Sequence, residues 1–100
     1  MTLTVTTVGG KYYINGAQQT AMNLNLGVEY IFNLDDATNN NHPFKLSTTA
    51  DGTHGGGTEI TTVTKSTNYD TSFGSTQTRC LTYMPTSPVS IYYYFGSHSK

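Results

Sequence analysis

The chain has 100 residues, 11% of them charged and 35% hydrophobic, and its formal net charge is −1. That length supports one modest core and excludes two, so a single domain over residues 1–100 is expected. Five scattered Lys and Arg residues give no field for steering phosphate, which argues against a nucleic-acid partner, and the near-zero net charge suits a subunit of an assembly.

In chain order, Leu3, Val5 and Val8 mark a first strand rich in β-branched residues, broken by Gly9 and Gly10. KYYI and the Asn15-Gly16 pair that follows it have the chemistry of a tight hairpin, because Asn and Gly accept positive φ at little cost. Met22, Leu24 and Leu26 alternate with asparagines. After Gly27 the alternation resumes through Val28, Tyr30, Phe32 and Leu34, and the two runs are expected to form a pair of strands. DDATNNN (35–41) is a polar loop, and His42-Pro43 resets the backbone to extended geometry before Phe44. TTADGTHGGG (48–57) reads as a flexible loop carrying His54, TEITTVT (58–64) as a strand, and 65–76 as a long loop anchored by Tyr69 and Phe73. QTRCLTYM (77–84) and VSIYYYF (89–95) are two further strands around a turn bracketed by Pro85 and Pro88.

No stretch carries a helical period, so about seven strands and essentially no helix are expected. An all-β, Greek-key β-sandwich is the leading architecture, with a jelly roll or small barrel as its competitor. No apolar run reaches the roughly 18–20 residues of a membrane helix, and Met1 leads into TLTVTTV without a signal-peptide core, so a soluble, non-exported chain with no membrane partner is expected. The single cysteine, Cys80, excludes an internal disulfide and reads as a small buried hydrophobe.

The order MNLNLGVEYIFNLDD, then HPF, then TSPVSIYYYFGSHS resembles the cupredoxin-like domains, in particular the short versions found in structural proteins of marine bacteriophages. The resemblance spans about Thr2 to Ser99 and rests on His42-Pro43-Phe44 and on Tyr92-Tyr93-Tyr94 leading to His98, with DGTHGGG (51–57) as a segment shared with the viral subgroup. It implies that His42 and His98 occupy the two histidine positions of a copper site. Phe95 stands where that site has its cysteine, and the axial methionine position lies past Lys100. A type 1 site needs the thiolate, which sets affinity and redox behaviour, so none is expected. Two imidazoles, with His54 as a third, suit a weaker Zn²⁺ or Cu²⁺ site, adventitious rather than designed. The structural reading of the same residues has His42 capping a strand, His54 solvated and His98 terminal, with the ring of Phe95 filling the space of the missing metal.

Asp35 and Asp36 are neighbours that point apart on an extended backbone and so solvate a loop, Ser97-His98-Ser99 cannot align as a triad, and GTHGGG lacks the lysine and helix of a phosphate cradle. Tyr92, Tyr93 and Tyr94 alternate faces, leaving outward tyrosines as contact residues together with Tyr69, Phe73 and His54. The resemblance also implies that the strand which should follow the histidine loop is lacking, and a bare sheet edge invites a partner. The functional expectation is therefore a non-enzymatic virion protein without a cofactor, a capsid decoration or cement-type subunit contacting a major capsid protein or its own copies, with a tail or fibre component less favoured. The alternative is a small metal- or glycan-binding adhesion module using the loop end near His42, His54 and His98.

Overall fold

The computed structural model describes residues 1–18, 21–50, 52–75, 77–86 and 89–95, with only the backbone of Val89 and Phe95. Among the described residues nine strands form two sheets, an all-β architecture compatible with a sandwich. The larger sheet contains β1 (Thr2–Val8), β2 (Lys11–Ile14), β3 (Ala17–Gln18), β5 (Tyr30–Asn33), β7 (Thr64–Lys65) and β8 (Cys80–Tyr83) in the order β3-β2-β1-β5-β8-β7. The smaller contains β4 (Ala21–Leu24), β6 (Phe44–Ser47) and β9 (Val89–Phe95) in the order β4-β9-β6.

The first three strands are joined by two-residue turns. Val8 pairs with Lys11 across Gly9 (φ 59°) and Gly10 (φ 77°), and Ile14 pairs with Ala17 across Asn15 (φ 51°) and Gly16 (φ 85°). Positive φ at both central residues matches the right-handed twist of the flanking strands, which is why Gly-Gly and Asn-Gly stand there. Asn15 also fixes register, since its N–H donates to Thr4 O at 2.8 Å while its Oδ1 accepts from Thr4 N at 2.9 Å.

The runs on either side of Gly27 are strands, yet they do not pair with one another. β4 pairs with β9, whereas β5 lies between β1, to which it is parallel, and β8. The chain changes sheet at a corner where Gly27 (φ 74°) donates to Pro85 O at 3.1 Å and Asn25 N donates to Tyr30 Oη at 2.9 Å. The inward alternation of Tyr30, Phe32 and Leu34 is as the sequence predicts, but on the other side it stops at Leu24, and Leu26 is 59% exposed.

Residues 58–63 make one bridge, Ser47 to Glu59, and Ile60 N donates to Leu46 O, so this segment covers the outer edge of β6 where a full strand was expected. β9 is the central strand of the smaller sheet, pairing with β4 along residues 89–92 and with β6 along residues 92–95. Among the described residues, short 3-10 turns at Ala37–Asn39, Gly52–Gly55 and Tyr69–Gly74 occupy the loops.

Aromatic rings join the sheets. Phe44 stacks on Tyr93 at 5.3 Å, meets Phe32 at 5.3 Å and takes the edge of Tyr12 at 5.0 Å, all four rings being buried. Each such pair adds about 0.5–1.5 kcal/mol beyond area burial. No helix among the described residues is long and apolar enough to cross a membrane.

Candidate functional site

β1 and β5 are parallel, so both finish at one end of the molecule, where β8 and β6 begin and β9 stops. The polar loop 35–43, the turn Tyr69–Gly74 and the start of β8 meet there. Met1, Leu26 and Met84, all more than half exposed, lie at the opposite end, where Gly27 bonds Pro85 and the amino terminus bonds Glu29 O.

At the loop end Asp36 caps Ala37–Asn39, accepting from Thr38 N at 2.9 Å and from Thr38 Oγ1 at 2.6 Å. These bonds hold its carboxyl below the usual range. Asn39 is fully buried, donates to Val5 O at 2.8 Å and accepts from Thr7 Oγ1 at 2.9 Å, which ties the turn to β1. Asp35 accepts from the backbone N–H of Arg79 at 2.6 Å. The adjacent carboxylates thus serve the loop's architecture, in keeping with the sequence.

Arg79 organises this end, and nothing in the sequence reading singled it out. Its side chain is fully buried, with Nε donating to Leu34 O at 2.8 Å, Nη2 to Asp36 O at 3.0 Å, and Nη1 shared among Asn40 Oδ1, Ser72 O and Ser75 O at 3.0–3.1 Å. One face of the guanidinium lies 4.7 Å from the centroid of Phe73. Burial pulls its pKa down while Asp35, Tyr69 and Asp36 push the other way, and an arginine so placed stays charged. A buried charge is tolerated only when it is well hydrogen-bonded, and here each guanidinium nitrogen donates to at least one of five oxygens drawn from two segments of the chain. The signal was present in the sequence: this is the chain's one arginine, in phase with Leu81 on an alternating strand.

The HPF segment is held from both sides. Tyr12 Oη donates to His42 O at 3.0 Å and Tyr69 Oη donates to Phe44 O at 2.7 Å. Burial raises the pKa of both phenols, with negative neighbours adding to the effect at Tyr69, so they remain neutral donors. Tyr69 and Phe73 are each 3% exposed, packed edge to face at 5.1 Å. They are core anchors, and their role as surface contacts is corrected. Tyr93 and Tyr94 are fully buried as well, and only Tyr92 of the three is half-buried.

Tyr94 does point away from the core, but the Gly52–Gly55 turn covers it. A Cβ on Gly52 would lie 2.3 Å from its ring, and exposed His54 meets the ring at 5.8 Å. The glycine loop, expected to be flexible, is instead a lid fixed by close packing. The hydroxyls of Tyr93 and Tyr94 have no hydrogen-bond partner among the described residues.

Of the residues weighed for a metal in the sequence, the structure places His42, His54 and Phe95. His42 is half-buried ahead of β6, Phe95 stands in register with Phe44 on the neighbouring strand, and half-buried Cys80 lies on β8 in the other sheet. His98 lies outside the described residues. Among those described there is no group of three or more His, Cys, Asp or Glu side chains placed to hold an ion.

A cleft of about 340 Å³ opens beside the HPF segment, lined by Asn41, Pro43, Asp70, Thr71, Phe73 and Gly74. Asn41, at φ 64°, donates its N–H to Phe73 O, which joins the two walls. Asp70 belongs to a ring of alternating charges. Lys65 lies 3.2 Å from it and 3.6 Å from Glu59, and Lys45 lies 3.7 Å and 3.4 Å from the same two carboxylates. Comparison of the chain with protein-family models, with curated proteins and with solved structures finds no match.

Proposed function

We propose that the chain is a non-enzymatic structural subunit of a virion, a capsid decoration or cement-type protein of a marine bacteriophage, built on a Greek-key, cupredoxin-like sandwich. The observation that carries the reading is the use made of Arg79. The one buried cation among the described residues has its donors committed to loop oxygens, so it stiffens a binding end and is not available for chemistry. Rigid loops displayed on a two-sheet scaffold suit contact with another protein, since little ordering entropy is lost on docking.

Other features support the same reading. Between β3 and β5 the chain crosses to the other sheet as β4, a connection compatible with a two-sheet sandwich. Exposed Leu26, Met84 and Met1 at the far end give a second contact region, so one subunit could meet a capsid protein at one end and a neighbour at the other. Proteomics and electron microscopy of purified virions test the proposal. The expected result is the chain at high copy number on the particle surface, and finding it only in infected-cell lysate would overturn it.

A further inference from the structure

The cleft beside the HPF segment combines a fixed shape with convergent polar groups. Its walls come from different loops, yet they share supports. Arg79 bonds Asn40 Oδ1 on one side and Ser72 O and Ser75 O on the other, and the Asn41 N–H bonds Phe73 O between them. A site held this way is preorganised, and its occupant need not order it. Its volume of about 340 Å³ is near the lower bound, roughly 300 Å³, for clefts that hold small molecules.

The lining chemistry narrows the occupant. The Asn41 amide both donates and accepts, the Asp70 carboxylate accepts, and the Thr71 hydroxyl, donating to Asn68 O at 3.2 Å, keeps lone pairs to accept. Half-buried Pro43 supplies an apolar surface beside them, with Phe73 closing the wall behind it from the core. Charge excludes ionic ligands. The Arg79 guanidinium is buried and committed, so it cannot meet a phosphate, and Asp70 already sits between Lys65 and Lys45, so it is a poor lone ligand for a cation. A neutral molecule with closely spaced hydroxyls and an aliphatic face satisfies both sets of groups.

We infer that this cleft binds a neutral saccharide, one or two pyranose units of a surface glycan, with Asn41, Asp70 and Thr71 bonding its hydroxyls and Pro43 meeting its C–H face. The site stands on the cleft's geometry and does not require the chain to be a virion subunit. For a monosaccharide of a dozen heavy atoms at ordinary ligand efficiency, the dissociation constant falls on the order of millimolar.

The test is a titration of the purified full-length protein, observed by amide NMR, with methyl glycosides of glucose, galactose, mannose and N-acetylglucosamine and, separately, with inorganic phosphate and Ca²⁺. At least one glycoside is expected to give saturable shifts centred on Asn41, Thr71 and Gly74. Asn41→Gly keeps the left-handed backbone and Thr71→Val keeps the shape, and each is expected to weaken binding about fivefold to tenfold, the worth of one hydrogen bond, with the rest of the spectrum unchanged. No saturable shift with any glycoside, shifts of equal affinity in both variants, or tighter cleft binding by phosphate or Ca²⁺ would each overturn the inference. None of these results bears on whether the chain is found in particles, so the two proposals fail separately.

Discussion

The 35–43 loop and the 52–57 loop are both short polar segments beside the aromatic strands, and they are held by opposite means. The first wraps a buried cation, with Asp36 O and Asn40 Oδ1 turned inward onto Arg79 and Asn39 bonded to β1. The second has no such centre. Gly52 is buried flat against Tyr94, Gly57 N donates to Gly52 O at 2.9 Å, and a Cβ on Gly57 would come 2.5 Å from Thr49 Cβ. One loop is ordered by a group it surrounds and the other by atoms it lacks. The first should therefore fail when a side chain is removed, and the second when one is added.

The largest effect is expected from Arg79→Met. It keeps much of the volume but strands five oxygens around an apolar chain. The cost expected is about 3–5 kcal/mol, read as a fall in the urea midpoint at unchanged m-value. Arg79→Lys restores charge but not the planar fork and should recover less than half of that loss. A cost below about 1 kcal/mol would show that the loop is held by something other than the guanidinium.

Gly52→Ala comes next, at about 2–4 kcal/mol, because it combines a left-handed φ of 51° with a methyl driven into the Tyr94 ring. Gly56 separates the two causes. Its φ is 85° but open space surrounds it, so Gly56→Ala should cost only about 1 kcal/mol. In a Tyr94→Leu background the Gly52→Ala cost should fall toward the Gly56 value, and a thermal double-mutant cycle reads that coupling. Additive effects would mean that Tyr94 is not what the glycine accommodates.

Asp36 gives a smaller, pH-dependent effect within the first loop. Its capping bonds hold the folded-state carboxyl below its unfolded value, so the stabilisation is present above the unfolded pKa and is lost as pH falls through the lowered folded value. Asp36→Ala should cost about 0.5–1 kcal/mol at neutral pH, the modest end for an exposed cap, and this cost should vanish in acid. Urea midpoints measured from neutral to strongly acidic pH check it, and a difference that grows in acid would reverse the assigned sign.

The sequence disclosed the strands better than their partners. Period-two patterning marked Tyr30, Phe32 and Leu34 as inward, and Asn15-Gly16 as a hairpin, because face and turn are local properties. Pairing depends on where the chain crosses between sheets, and nothing local at Gly27 says that β4 will cross to join β9. Composition misled at the glycine loop, since glycine marks a flexible tip and a close approach equally well, and only Tyr94 in space tells them apart. Tyr69 and Phe73 looked like surface contacts because they sit in a long polar segment, but a loop that closes on a charge needs its own small core. Arg79 is legible in principle through its phase with Leu81, but inward-facing arginines are rare and phase alone does not distinguish one.

The smallest effect should come from the charge ring, and it sharpens the contrast between buried and exposed electrostatics. Lys45, Glu59 and Lys65 have 22–25% of their side chains exposed and Asp70 has 60%, so solvent screens every contact in the ring. Each carboxylate nevertheless faces two lysines, and removing either carboxylate leaves those lysines facing one acid between them. Glu59→Gln should therefore cost about 0.5–1 kcal/mol at low salt and Asp70→Asn about half as much, owing to its greater exposure. Both costs should shrink toward zero near 1 M salt, where the screening length is about 3 Å, while the Arg79→Met cost should hardly change. Parallel denaturation series at low and high salt separate the cases, because a salt-sensitive Arg79 or a salt-insensitive Glu59 would mean that the exposed ring, and not the buried guanidinium, fixes the loop end.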